Sequence, residues 1–294
     1  MPTPEVVLLD GGMSNALADR GQDLSGELWT ARLLRDAPDE IAAVHRTYFA
    51  AGARVATTAS YQASVDGLVR LGLDATEAAR LITRSVTIAR AVRDELAGDG
   101  VERLVAASVG PYGAVLADGS EYRGGYGLTA AELRDFHAPR LELLASAGPD
   151  LIAIETIPDV DEAEVLVGLL DEFALPAWVS YSIVADRTRA GQPLHDAFSV
   201  AAGSGRVLAV GVNCCAPADV ASAVSAAVAV TGLPAVAYPN RGEAWDAASR
   251  SWAGSGAFDV RLAQDWVAAG ARYVGGCCRV GPDDIAALSA VLGV

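Results

Sequence analysis

Short apolar, β-rich runs alternate with longer segments of helical period from one end of the chain to the other. That alternation is the signature of a parallel α/β fold. Strands are expected at Val6–Asp10, Arg54–Thr58, Leu104–Val109, Leu151–Glu155, Ala177–Ser182, Val207–Asn213, Ala235–Pro239 and Tyr273–Gly276. Most are continuous apolar runs, as strands buried on both faces should be. Between them the periodicity predicts helices over Asp39–Ala51, Thr76–Leu96, Thr129–Ala147, Asp161–Phe173 and Ala218–Val230, with a last one over Pro282–Leu292. Thr129 and Glu132 have capping-box spacing, Thr76 is expected to open its helix beside Glu77, and Gly52 and Gly148 fall where helices should stop.

Eight βα rounds without a Pro/Gly/Ser-rich linker predict a single-domain (β/α)8 TIM barrel over residues 1–294. A doubly wound open sheet is the alternative, but it usually carries a glycine-rich phosphate turn after its first strand, and Asp10-Gly11-Gly12-Met13 does not match one. The connections after strands one, two, three and seven are long, whereas those entering strands are short. In a barrel the strand-to-helix loops share one face, and that face carries the active site.

Composition agrees with a compact fold, since 52% of residues are hydrophobic and 20% charged. The formal net charge of -15 repels phosphate backbones and anionic headgroups, so neither nucleic acid nor a membrane is expected as a partner. The N-terminal stretch lacks a basic region, its apolar run Val6 to Leu9 is too short for a signal peptide, and no segment approaches a membrane span. A cytoplasmic protein is expected. The four cysteines form the adjacent pairs Cys214-Cys215 and Cys277-Cys278, which is not a secreted disulfide framework.

Polar residues close the apolar strands: Asp10, Thr57-Thr58, Glu155, Asn213-Cys214, Asn240 and Cys277-Cys278. All should converge on the C-terminal rim. A charged side chain ending an apolar run is costly unless it is solvated or paired. Two cysteines at the end of strand eight and one at the end of strand six could set three thiolates around one ion. Zinc favours those donors, and three of them leave a tetrahedral position open. Buried apolar cysteines are the competing reading. His45, His137 and His195 all fall on or beside helices, so a His-rich metal centre is not supported and each is expected as a surface or helix-flank residue.

Gly211-Val212-Asn213-Cys214 followed by Gly275-Gly276-Cys277-Cys278 resembles the paired zinc signature of the homocysteine S-methyltransferase family. Further matches run in the family's order: Leu9-Asp10-Gly11-Gly12, Thr57-Thr58-Ala59-Ser60-Tyr61-Gln62, Gly119-Ser120-Glu121-Tyr122, Glu155-Thr156-Ile157-Pro158 and Tyr238-Pro239-Asn240. The resemblance implies zinc on Cys214, Cys277 and Cys278, with Cys215 left as a packing residue. It implies homocysteine as one small-molecule partner, its ammonium held by Asp10 and Glu155, its carboxylate by Thr58 and the Gly11 backbone, and Asn213 completing the substrate-binding set. Zinc would keep the homocysteine sulfur as a thiolate able to attack a methyl group.

The second partner implied is a sulfonium methyl donor, S-methylmethionine or S-adenosylmethionine, with methionine as product. Tyr61, Tyr112, Tyr126, Trp29, Trp245 and Trp252 lie in or near the long loops, either to face the positive sulfur or merely to anchor their loops. Two departures separate the chain from the betaine-using branch of the family, which remains the alternative. Thr156 stands where that branch has a tyrosine, and the chain stops at its eighth helix instead of entering a dimerisation arm. The third reading is a barrel whose cysteines form a structural zinc or thiol-sensing site without methyl transfer.

Overall fold

The computed structural model describes residues 5–24, 29–116, 118–246, 251–253, 256 and 258–294. Eight strands form one parallel sheet: β1 (Val7–Leu8), β2 (Val55–Thr57), β3 (Leu104–Val109), β4 (Leu151–Ile157), β5 (Ala177–Tyr181), β6 (Val207–Asn213), β7 (Ala235–Tyr238) and β8 (Ala271–Val274). Neighbours run β1-β8-β7-β6-β5-β4-β3-β2. The two ends then meet, because Leu9 bridges Val55 in parallel and the Arg54 N–H donates to the Leu8 carbonyl at 2.7 Å. The sheet is a closed barrel, and closure removes the edges that an open sheet would leave unpaired.

Each strand is followed by a helix that packs outside it. These are α1 (Pro38–Ala50), α2 (Ala75–Glu95), α3 (Ala130–Ser146), α4 (Val160–Phe173), α5 (Leu194–Ser199), α6 (Val220–Thr231), α7 (Leu262–Ala269) and α8 (Pro282–Leu292). Six of them match the sequence expectation within about two residues, the usual uncertainty of a helix end. The short α5 and α7 carry too few turns to register a period. Extra helices over Met13–Asp19, Trp29–Asp36, Val65–Arg70 and Tyr112–Leu116 occupy the long connections after β1, β2 and β3.

The capping box at α3 is present in both directions, with Glu132 N donating to Thr129 Oγ1 and Thr129 N to Glu132 Oε2. At α2 the expectation fails by two residues: Asp74, not Thr76, caps the helix by accepting from Glu77 N at 2.8 Å. Asp is as good a cap as Thr, and its carboxylate also favours the positive end of the helix.

Two apolar layers hold the barrel. One fills its interior and contains Leu9, Val55, Leu151, Trp178, Val236 and Tyr238; the other lies between strands and helices. Trp178 is fully buried, and its indole N–H donates to the Tyr238 hydroxyl at 3.0 Å, so its one polar atom is satisfied. Burying such side chains stabilises the fold by on the order of 2 kcal/mol apiece.

The histidine expectation is corrected here. His195 is exposed, but His45 on α1 and His137 on α3 face inward and are fully buried. Helical spacing places both on the apolar stripe, and an imidazole enters a core when it stays neutral. Burial pushes His45 down to about 4, and His137 Nε2 meets Glu162 Oε1 at 2.9 Å. Among the described residues no helix is long and apolar enough to cross a membrane.

Candidate active site at the C-terminal rim

Cys214 follows β6, while Cys277 and Cys278 follow β8, so β7 stands between the two sources. Three hydrogen bonds, two to backbone and one to a side chain, bring them together across it. Cys214 N donates to the Tyr238 carbonyl, Cys277 N to the Pro239 carbonyl and Cys278 N to Asn240 Oδ1, at 3.2, 2.8 and 3.2 Å. Asn240 thus serves the cysteine turn from the end of β7. Cys214 itself takes a left-handed backbone, φ 49°, which turns the chain abruptly where the strand stops. Such a conformation is costly for a residue with a Cβ and persists only where surroundings enforce it.

The Cys277-Cys278 turn needs its glycines. A Cβ on Gly276 would stand 2.1 Å from Val280 Cγ1, so no larger residue fits there without moving the loop. Gly11 is constrained in the same way, since a Cβ there would lie 2.4 Å from the Val280 carbonyl oxygen and 2.9 Å from the Tyr48 ring. Tyr48 in turn donates its hydroxyl to the carbonyls of Gly12 or Val280, at 2.9 and 3.1 Å. The loops after β1 and β8 are therefore locked to one another.

The sulfurs of Cys214, Cys277 and Cys278 all lie within 4.8 Å of one another. Cys214 and Cys278 are 3.7 Å apart, and Cys277 and Cys278 4.0 Å. The Tyr122 hydroxyl stands 3.2 Å from Cys214 Sγ. Hydrogen bonds from Cys277 and Cys278 hold the Cys214 thiol well below the usual range despite its burial. The hydrogen bonds that the other two make to Cys214, with burial and the Cys214 charge behind them, hold those thiols well above theirs. Three soft donors that share negative charge suit a thiophilic cation such as zinc. Cys215 points the other way, joins the outer apolar layer, and is pushed up by burial.

The carboxylates sit on the same rim, Asp10 just after β1, the neighbour of β8, and Glu155 in β4, where the charge of Cys214 reaches it. Asp10 accepts from Thr57 N and Thr57 Oγ1 at 2.7 and 2.9 Å. Glu155 accepts from Ser108 Oγ. Ser108 N donates to Thr58 Oγ1 at 3.0 Å, and Thr58 shares a hydrogen bond with Ser60 at 2.7 Å. One buried network thus joins Thr58 to Glu155. Burial raises both carboxyls to about 7, and the charge on Glu155 adds to the rise at Asp10. Neither has a cationic partner among the described residues. Desolvated carboxyls without a cation gain from one placed beside them, since it favours their charged form.

Glu155 reaches this position through an irregularity in β4. The β4-β5 register shifts between Ile154 and Ile157, and Thr156 has φ 60°. Such a bulge re-aims a side chain near a site. Asn213 pins it: Oδ1 accepts from Thr156 N at 2.7 Å and from Ser180 Oγ at 2.6 Å, while Nδ2 donates to Thr156 Oγ1 at 2.7 Å. Its short-range hydrogen bonds all go to the scaffold. Asn213 is fully buried, and its Nδ2 also lies 3.9 Å from Cys277 Sγ.

Of the loop aromatics, Tyr61 lies near Glu121, Cys214 and Thr156, whose charges and hydrogen bonding act on its buried phenol. Tyr112 stacks edgewise on Tyr126 and Phe136, with centroids 5.3 and 5.0 Å apart, and so anchors its loop to α3. The side chains of Trp29, Trp245 and Trp252 lie outside the described part. Arg140 went unforeseen. Fully buried on α3, it donates to the carbonyls of Gly110 and Tyr61 at 3.0 Å each and of Ser60 at 3.3 Å, clamping the loops after β2 and β3.

The sequence profile of the homocysteine S-methyltransferase family matches residues 7–292. A homocysteine S-methyltransferase of Escherichia coli K12 is 44% identical over 97% of this chain and 95% of its own length. Homocysteine S-methyltransferase YbgG of Bacillus subtilis is 40% identical over 99% and 95%. The metallated form of the E. coli homocysteine methyltransferase MmuM superposes with a TM-score of 0.89 at 41% identity, covering 97% of this chain and 96% of that one.

Proposed function

The chain belongs to the homocysteine S-methyltransferase family, and on that premise we propose that it methylates homocysteine from a sulfonium donor, S-methylmethionine before S-adenosylmethionine, with zinc on Cys214, Cys277 and Cys278. The observation that carries the metal assignment is the convergence of three sulfurs within 4.8 Å beside two cation-seeking carboxyls. Bound zinc would keep the homocysteine sulfur deprotonated at neutral pH while leaving it nucleophilic.

The rest of the work falls to the chain. Asp10 and Glu155 take the homocysteine ammonium, an ion pair that offsets the cost of their own burial. Thr58 and the Gly11 backbone take its carboxylate. Asn213 and Ser108 hold Thr156 and Glu155 in place. The homocysteine sulfur forms a bond to the donor methyl carbon as the carbon–sulfur bond of the donor breaks, and the bonding pair returns to the donor sulfur, which leaves as a neutral thioether. Both products are methionine when S-methylmethionine is the donor. A neutral leaving group needs no acid, so catalysis rests on alignment of two sulfurs. That agrees with a rim without histidine.

Betaine is disfavoured by Thr156, whose short side chain is committed to Asn213. Free thiols at the centre suit a reducing compartment, and we place the enzyme in the cytoplasm. Zinc-loaded protein with homocysteine, offered S-methylmethionine, S-adenosylmethionine and betaine in parallel, tests the reading by the methionine formed. Methionine formation from betaine alone would overturn it.

A further inference from the structure

Beside the cysteine cluster lies a cleft of about 500 Å³, walled by Tyr122, Ile183, Arg189, Cys215, Asn240 and Glu243 among others. Its residues come from the loops after β3, β5, β6 and β7. Tyr122 belongs to both places, with its hydroxyl on Cys214 Sγ and its side chain in the cleft wall. A molecule in the cleft is therefore next to the sulfurs. The volume is in the range of small-molecule sites.

Of the charged groups in this wall, Arg123 pairs with Asp118 and Asp219 accepts from Ala185 N, while Arg189 and Glu243 are held in place with donor or acceptor capacity left over. Arg189 is half-buried and held firmly: its Nε donates to Ser182 Oγ at 3.2 Å and its guanidinium lies 5.5 Å from the Tyr122 ring centroid. Yet among the described residues it has no carboxylate partner, and its two terminal nitrogens donate to nothing. Glu243 is the converse. Its side chain is only 6% exposed, and Oε1 takes Arg279 Nε at 3.1 Å. Oε2 is buried and accepts no hydrogen bond. A buried carboxylate oxygen left without a donor is costly. A fixed guanidinium fork and a waiting carboxylate oxygen in one cleft are complementary to a zwitterion.

We propose that this cleft seats the methyl donor by its α-amino-acid end, Arg189 receiving the carboxylate and Glu243 Oε2 the ammonium. The inference rests on the sulfonium-donor reading and goes beyond it by assigning the donor's recognition. Homocysteine is not the occupant, because its own ammonium has Asp10 and Glu155 to meet it. The two substrates would then enter from different loops, each by its own amino-acid end. Betaine fits this cleft poorly. It offers a carboxylate to Arg189, but its quaternary nitrogen has no N–H for Glu243.

The test compares S-methylmethionine with trimethylsulfonium, which presents a methyl on positive sulfur without an amino-acid end, using the zinc-loaded full chain. Arg189→Met should lower kcat/KM for S-methylmethionine by roughly 10- to 100-fold, the loss of a charge-assisted pair. Glu243→Gln should lower it about tenfold. The charge of Arg189 also reaches Cys214, an effect that both donors share, so the readout is the ratio of kcat/KM for S-methylmethionine to that for trimethylsulfonium, which should fall by these factors. Arg189→Lys, which keeps the charge but loses the fork, should fall between parent and Arg189→Met and guards against a merely unfolded variant. Equal losses for both donors, or no loss for S-methylmethionine, would overturn the assignment. A parent enzyme that used neither sulfonium would instead remove the sulfonium reading, and this inference with it.

Discussion

The hydroxyl of Tyr122 stands 3.2 Å from the sulfur of Cys214, which also receives the thiols of its two cysteine neighbours. A phenol that donates to a metal thiolate draws charge from it and fixes its direction. Tyr122→Phe should weaken zinc affinity by roughly tenfold without abolishing binding. Chelator competition measures it, and an affinity equal to that of the parent would make the contact incidental.

Loss of a ligand is a larger matter. Cys277→Ser should drop zinc well below one per chain and remove methyl transfer, while Cys215→Ser should keep stoichiometric metal because Cys215 packs into the outer apolar layer. Metal analysis of the two purified variants decides between them. Full zinc in Cys277→Ser would refute the ligand set.

The homocysteine pocket should be sensitive to pH on the acid side. Asp10 and Glu155 are held up at about 7 by burial, whereas the ammonium they would bind stays charged at neutral pH. Homocysteine KM should therefore fall as pH rises through about 7, with binding releasing protons. Glu155→Gln should raise that KM roughly 10- to 100-fold. A KM indifferent to both pH and the Glu155→Gln change would remove these carboxyls from recognition.

The same burial has a consequence for stability without substrate. Asp10 titrates at about 7 in the fold against 3.8 when free. Its contribution is thus fully present below about pH 4 and is lost as pH rises to about 7. Asp10→Asn, which never ionises, should make the substrate-free protein more stable than the parent at alkaline pH and no more stable near pH 4. Denaturant melts at the two pH values check it, and an unchanged difference between them would show that Asp10 is not desolvated.

Gly276→Ala should be among the most damaging single changes on the rim. Its Cβ would meet Val280 Cγ1 at 2.1 Å in a loop already tied to Gly11 and Tyr48. Overpacking of this kind costs about 1 to 3 kcal/mol. The loss should appear as a lower melting temperature together with reduced zinc content, and a variant with unchanged zinc would mean that the loop yields freely.

Strand-end polar residues were legible because a barrel gathers the C-terminal ends of its strands whatever their separation in sequence. That rule alone brought Asp10, Glu155, Cys214 and Cys277 together. Other features depend on contacts that no local pattern carries. Arg140 reads as an ordinary solvated position of a helix, and only the three loop carbonyls it meets make its burial possible. Asn213 entered the substrate-binding set only through the resemblance, and its hydrogen bonds to the amide and hydroxyl of Thr156, which stands at a positive φ, have no counterpart in the local pattern. The histidines mislead for the reverse reason, since a period that marks the inward face says nothing about whether a polar side chain stays neutral there.

The donors of the cysteine cluster come from strands separated by a third, and Cys214 and Cys278 are 64 positions apart in the chain. During synthesis the first sulfur leaves the ribosome long before its partners, and β7 must be in place before they can be gathered. A nascent chain stopped between β6 and β8 offers one thiol of the set, with nothing to distinguish it from a free cysteine. Acquisition of metal by such a cluster would thus follow closure of the barrel, and an oxidant that reaches the chain earlier meets Cys214 without Cys277 and Cys278.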